Sequence, residues 1–245
     1  MHEEKTTYEL LSSETHNNNV ALYKCWKGRE RFYKKVAFSE QANRLIENEK
    51  RGYDWFCRIA EKDYEVNLTG KNFLEIEIPE FAGKTFPRSA PISGNENEIE
   101  MIIEYYSEKW LRAKDFAIHG DLALCNNIIE GGNDLNIVDW EHFHFDEKVY
   151  FGFDIFNMLF ISLNYQFKHI SNMDSRTKTF LKNCYKRLVD STPASNKILA
   201  KPFQNSNTYL LTNQNKFCVN VNIASKFVLA KYPLSELEKL DLSIT

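Results

Sequence analysis

With 245 residues, 43% of them hydrophobic and 14% aromatic, the chain can bury a sizeable core, as one large domain or as two lobes sharing a cleft. Its formal net charge is −3, with acids and bases interspersed, which argues against the basic face of a general nucleic-acid binder. The five cysteines (Cys25, Cys57, Cys125, Cys184 and Cys218) are odd in number, scattered and without a CxxC pair, so they suit neither a disulfide framework nor a zinc site.

The start, MHEEKTTYEL, is polar and acidic rather than a signal peptide. Runs at Tyr8–Ser13, Val20–Trp26 and Arg31–Phe38, separated by THNNN and KGRE turns, predict an antiparallel meander. Ser39 can then cap a helix over 40–60, with Leu45, Ile46, Tyr53, Phe56 and Ile59 on its apolar side. Two further runs lie near Tyr64–Leu68 and Phe73–Ile78, and Asn67-Leu68-Thr69 is a glycosylation sequon only if the chain is secreted. From Pro79 to Gly94 the texture becomes that of a hinge and loop. Beyond it the chain turns mainly helical. Ile99, Ile102, Ile103, Tyr106 and Trp110 predict a helix over 96–113, and 116–140 holds short strand-like runs. Residues 153–167, 176–189 and 224–240 are further helix candidates, the last weakened by Pro233. The most apolar stretch, 151–163, is too short to span a bilayer and contains Asp154 and Asn157. Together with the cysteine usage this reads as a cytoplasmic protein without stable membrane insertion.

The strongest motif is Ile118-His119-Gly120-Asp121-Leu122-Ala123-Leu124-Cys125-Asn126, followed by Ile137-Val138-Asp139-Trp140-Glu141. An Asp and an Asn five apart, then a second Asp after an apolar strand, fit phosphoryl transfer. In that chemistry Asp121 orients or receives the proton of the accepting hydroxyl, while Asn126 and Asp139 offer hard oxygen ligands to Mg²⁺. A rival reading takes His142 and His144 with His119 and Asp121 as a transition-metal hydrolase. It leaves the Asp121–Asn126 spacing unexplained, so one of His142 and His144 is expected to be exposed and the other to face the substrate.

HGDLALCNN with VDWE resembles the aminoglycoside phosphotransferase and choline kinase superfamily, the small-molecule branch of the kinase-like fold. The likeness is specific over 118–156 and extends over about 8–170. It departs from protein kinases at Gly120, where those place an Arg that reads a phosphorylated loop, and at Trp140-Glu141, with no Ala-Pro-Glu following. The resemblance implies a catalytic segment built on His119 and Asp121. It also implies a second Asp, Asp154, which braces that segment; a helix N-cap is the alternative role. A phosphate-binding lysine is implied on the third strand, where Lys34 and Lys35 face opposite sides. Lys35 is preferred because Val36-Ala37 follow it. Its carboxylate partner is Glu47 or Glu49, with Glu49 matching the family spacing better. The adenine is expected near Glu80 and Phe81. No GxGxxG lies between the first two strands, so 12–19 would have to cover the phosphates with backbone N–H groups.

The expectation is therefore an α+β, bilobal kinase-like fold: residues 1–80 a small β-rich nucleotide lobe with one helix, 81–245 a larger, mainly helical catalytic and substrate lobe. ATP and Mg²⁺ are the implied cofactors, and a small-molecule or glycan alcohol the implied partner, as aminoglycoside, choline or ethanolamine, sugar or lipopolysaccharide-type substrate. The alternative is a catalytically inactive, nucleotide-binding or regulatory protein, which the degenerate loop keeps open.

Overall fold

The computed structural model describes residues 5–12, 19–131, 134–145, 153–167 and 172–191. The helix expected over 224–240, most of the expected phosphate loop, and Cys218 lie outside them. The chain divides into two compact units, one formed by residues up to Ala82 with Asp139–Phe143, the other by Gly83–Val138 with residues from His144 on.

The first unit is a five-stranded antiparallel sheet with one long helix. Its strands are β1 (Thr7–Ser12), β2 (Val20–Lys27), β3 (Glu30–Ala37), β4 (Asn67–Thr69) and β5 (Glu75–Pro79), in the order β1-β2-β3-β5-β4. The tight β2–β3 turn uses Gly28 at φ 60°. Register sets the faces, because paired residues point the same way and alternate residues point apart. Leu22, Lys35 and Ile76 therefore form one row, with Lys24, Tyr33 and Ile78 the next row on that side; Tyr23, Lys34 and Glu77 occupy the opposite face. Ala37 and Ile76, on the Lys35 side, are fully buried.

Helix α1 (Glu40–Ala60) starts where Ser39, in extended conformation, accepts a hydrogen bond from the Ala42 N–H at 3.1 Å. It ends where Glu61 turns left-handed at φ 56°. Its buried positions include Ala42, Ile46, Glu49, Tyr53 and Phe56, a three-and-four spacing that places a carboxylate in the apolar stripe. Leu45 and Ile59, expected on that stripe, are only half-buried, since the stripe sits one position further round. Gly52 is required by packing: a Cβ there would lie 2.5 Å from Trp140 Cβ. Trp140 itself fills a fully buried aromatic cluster with Trp55, Phe56 and Phe143.

The second unit is mainly helical. Gly83, at φ 136°, brings the chain against the Ile129 carbonyl, and Lys84 bridges to Ile129. Helix α2 (Glu96–Tyr105) runs into a π-helical turn at Tyr106–Trp110 instead of continuing as regular helix to 113. In that turn Ser107 bonds back to the Ile103 carbonyl at 2.7 Å, and the Trp110 indole N–H donates to the Ala117 carbonyl at 2.7 Å. The widened turn thus anchors a buried Trp to β6 (Ala117–Ile118). A 3₁₀ turn at Leu124–Asn126 leads into β7 (Asn127–Ile129), which pairs with β8 (Leu135–Ile137); β6 pairs with β9 (His144–Phe145). Helices α3 (Phe153–Gln166) and α4 (Ser175–Ser191) follow. The class is α+β, a β-rich unit with one helix and then a mainly helical unit, as expected from the sequence. Among the described residues, no helix is long and apolar enough to cross a membrane.

Candidate active site

Two groups of polar and charged side chains include the expected site residues, one in each unit. In the first unit Lys35 reaches from the centre of β3 to two carboxylates. Its Nζ lies 2.8 Å from Glu49 Oε2 and 2.6 Å from Asp139 Oδ1. Glu49 is 1% exposed and the Asp139 side chain 44%, so Lys35 joins a buried carboxylate to an accessible one. Burial works to lower the Lys35 pKa, but Asp139, Glu49 and Glu141 outweigh it and hold the ammonium charged, well above its ordinary value. Burial pushes Glu49 up to about 7 against the pull of Lys35. Lys34, on the other face, pairs with Glu75 at 2.7 Å and Glu77 at 3.2 Å. Glu47 is exposed.

Asp139 has a left-handed backbone, φ 71°. A non-glycine residue in that region is uncommon, and Asp tolerates it better than branched or bulky residues. The turn that follows stays in the same unit. Glu141 takes His142 Nε2 on its Oε1 at 2.9 Å, and its carbonyl accepts from Asn48 Nδ2 at 3.5 Å. Neither His142 nor His144 is exposed, against the expectation for one of them: His142 turns to Glu141, and β9 pairing with Ile118 holds His144. Among the described residues, no group of three or more His, Cys, Asp or Glu is arranged to hold a metal ion.

In the second unit the segment after β6 is a loop held by hydrogen bonds and by the buried Leu122 and Leu124. Asp154, fully buried in the first turn of α3, accepts from the His119 N–H on one carboxylate oxygen and from the Gly120 N–H on the other, both at 3.0 Å. It braces the loop rather than capping its own helix. Burial raises its pKa to about 7, with the two N–H groups opposing that rise and Asp121 adding to it. Gly120 sits at φ 89°, where a side chain would be strained. The His119 ring is fully buried: Nε2 lies 3.0 Å from the Val138 carbonyl and Nδ1 3.4 Å from the Asp121 N–H. Both contacts are satisfied only with the proton on Nε2. The His119 ring thus links the Asp121 backbone to the Val138 carbonyl.

Asn126 accepts from the Ala123 N–H on Oδ1 at 3.2 Å and donates from Nδ2 to the Val138 carbonyl at 3.4 Å, while the Val138 N–H donates to its carbonyl at 2.9 Å. Asn127 and Asn157, which the sequence reading did not assign, satisfy the Ala123 and Leu122 carbonyls at 2.7 and 3.1 Å. The available signal was polarity out of place, since Asn157 interrupts an apolar helix.

Glu80 and Phe81 lie elsewhere in the first unit. The Glu80 N–H donates to the Arg31 carbonyl at 3.1 Å, because strand pairing runs one residue past Pro79. That N–H is therefore committed to the sheet. The Glu80 carboxylate takes Lys24 Nζ at 2.6 Å and the Tyr33 hydroxyl at 3.5 Å. The Phe81 ring packs on Tyr64 with centroids 4.7 Å apart.

No family model matches the chain, and no curated protein matches its sequence. Solved structures do resemble it. Choline kinase LicA from Streptococcus pneumoniae is 16% identical, covering 91% of this chain and 95% of its own, with a TM-score of 0.47. A thermostable mutant of aminoglycoside phosphotransferase APH(4)-Ia, in ternary complex with ADP and hygromycin B, is 8% identical over 96% and 94%, with a TM-score of 0.47. The Cydia pomonella granulovirus kinase PK-1 is 13% identical over 80% and 94%, with a TM-score of 0.45.

Proposed function

We propose that the chain is a phosphotransferase, moving the terminal phosphoryl group of a nucleoside triphosphate to a hydroxyl of a small molecule or glycan. The observation that carries this reading is Lys35, held charged at the centre of β3 by buried Glu49 and accessible Asp139. A surface ion pair needs no buried anchor, whereas a lysine that must meet phosphates in one geometry gains from being fixed in advance.

The roles follow from the side chains. Lys35 binds phosphate oxygens, and Glu49 holds its rotamer. Asp139, in the first unit, and Asn126, in the second, would each offer Mg²⁺ the kind of hard oxygen donor it prefers. When bound, Mg²⁺ neutralises charge on the transferred group. Asp121 orients the accepting hydroxyl and takes its proton, on a loop fixed by Asp154 and His119. Gly120 supports a small acceptor: at φ 89° it leaves no unstrained place for an Arg that would read a phosphorylated protein loop. The four described cysteines are free, in keeping with the cytoplasmic location we infer.

Phosphate-transfer assays against a library of alcohols test this, with Asp121→Asn as the control. Turnover should fall on the order of 10²-fold or more in that variant. Nucleotide binding without transfer to any alcohol would favour the non-catalytic alternative, and a near-normal kcat in Asp121→Asn would remove Asp121 from its role.

A further inference from the structure

On the Lys35 side of the sheet, the rows beyond Lys35 carry charged and aromatic side chains beside the buried Ile78. Lys24 and Tyr33 occupy the next row, and Trp26, Arg31 and Glu80 the one after. Glu80 follows β5 by one residue, four strand positions from Lys35, or roughly 13 Å along β3. That is the scale on which a nucleotide extends from its phosphates to its base.

The cluster is organised around one carboxylate. Glu80 Oε1 accepts from Lys24 at 2.6 Å and from Tyr33 at 3.5 Å, and Oε2 faces Arg31 at 3.8 Å. Lys24 also lies over the Tyr33 and Trp26 rings, at 5.7 and 5.9 Å from their centroids. Both charged side chains are about a quarter exposed, 25% for Lys24 and 24% for Glu80, so an incoming base can reach them. The hydrogen bond from Lys24 lowers the Glu80 pKa, keeping the carboxylate ionised and purely an acceptor.

We propose that Glu80, with Lys24 beside it, makes the nucleotide site select guanine over adenine. This rests on the reading that the unit binds a nucleoside triphosphate through Lys35. Guanine presents two adjacent donors, N1–H and the 2-amino group, with the acceptors O6 and N7 alongside; a carboxylate next to an ammonium complements that edge. Adenine presents one donor, its 6-amino group, next to the N1 lone pair, which a carboxylate repels. Adenine N1 needs a donor, and neither of the two residues at the end of β5 offers a backbone one. Pro79 has no N–H, and the Glu80 N–H is already given to the Arg31 carbonyl. Replacing Glu80 by Gln converts the carboxylate into an acceptor–donor pair, which is the complement of adenine.

The test is isothermal titration of the full chain with the β,γ-imido analogues of GTP, ITP and ATP in Mg²⁺. ITP keeps N1–H and O6 but lacks the 2-amino group. The expected order of affinity is GTP, then ITP, then ATP, with the outer two separated on the order of 10- to 100-fold. In Glu80→Gln the order should reverse, GTP weakening and ATP strengthening. A merely structural ion pair would weaken all three alike, and that result overturns the proposal. Wild-type protein binding ATP at least as tightly as GTP overturns it too, while leaving the phosphotransferase reading intact. Wild-type protein that is folded yet binds none of the three removes both. The wild-type comparison stands even where the variant fails to fold.

Discussion

Asp154→Asn should weaken the fold by an amount that shrinks as pH rises. The native carboxylate is fully buried and accepts two backbone N–H groups, each at 3.0 Å. Hydrogen bonds to a charged acceptor contribute about 1.5–3 kcal/mol each. An Asn accepts from only one of the two and turns an NH₂ donor toward the other, leaving a buried N–H without its partner. Against this stands the burial of the charge, which raises the Asp154 pKa from 3.8 to about 7, equivalent to about 4 kcal/mol.

Because the folded pKa lies above the unfolded one, the folded protein holds more protons between those values. The stability from this group is complete below the unfolded pKa and is lost as pH rises through about 7. Asn carries no such dependence. The wild-type advantage should therefore shrink by about 3 kcal/mol between about pH 4.5 and 7.5, at up to about 1.4 kcal/mol per unit. Urea denaturation of both proteins across that window reads it directly, since other titrating groups largely cancel in the difference. An advantage constant to within about 1 kcal/mol would show that Asp154 does not titrate in this window, and the claim that burial outweighs the two N–H groups in setting its pKa would fail.

The Lys35 site yields a separable pair of outcomes. Lys35→Met should abolish nucleotide binding and destabilise the protein by about 3–5 kcal/mol, because it leaves Glu49 buried without its partner; adding Glu49→Gln should restore stability but not binding. Lys34→Met, on the opposite face, should leave affinity unchanged in the same titration, and Lys34 proving essential would reverse the assignment. Asp139→Asn should reduce the Mg²⁺ dependence of nucleotide affinity, and an unchanged dependence by calorimetry would remove Asp139 from metal binding. Gly52→Ala forces a Cβ to within 2.5 Å of Trp140 Cβ, so it should cost about 1–3 kcal/mol, seen as a lowered thermal midpoint.

Much of this was legible in the sequence because the signals were local. Helix α1 matches its expected range from Ser39 onward, since a capping side chain and a three-and-four stripe both act within one element. The strand runs were found to within a residue or two at most ends, because alternation and turn chemistry are also local. The π-helical turn at Tyr106–Trp110 was not legible. Its apolar spacing is that of an ordinary helix, and what accompanies the widening is a bond from Trp110 to Ala117, seven residues on. The pairing of the Glu80 N–H was hidden for a related reason. Proline at 79 marks the end of a strand by its chemistry, but the next N–H still pairs with Arg31 across the sheet, which only the register reveals. The motif placed Asp121, Asn126 and Asp139 in sequence, and the resemblance named Asp154 as the brace, but neither gave the two N–H groups it accepts from nor the role of Asn157. Those bonds depend on α3 meeting a loop some 35 residues earlier.

The case for a phosphotransferase gains from where the structure accepts costs. Glu49 interrupts the buried stripe of α1, Asp154 is a buried acid whose ionised form burial opposes, and Asp139 sits at φ 71°. A sequence selected for stability alone would place an apolar residue at the first two positions and a glycine or asparagine at the third. Each departure serves a member of the motif. Glu49 positions Lys35, Asp154 fixes the His119–Asp121 turn, and the bend at Asp139 directs its carboxylate to Lys35. Unrelated structural compromises would scatter over the molecule; these fall on the three segments that phosphoryl transfer requires. Strain of this kind persists only where the surroundings enforce it. Relieving it should therefore trade activity for stability. Asp139→Gly and Asp139→Ala both lose the pair with Lys35 and should both abolish transfer, but only glycine relieves the left-handed backbone, so Asp139→Gly should have the higher thermal midpoint of the two. If Asp139→Ala were at least as stable as Asp139→Gly, the backbone at Asp139 would not be a stored cost, and the coincidence of strain with motif would lose one of its three supports.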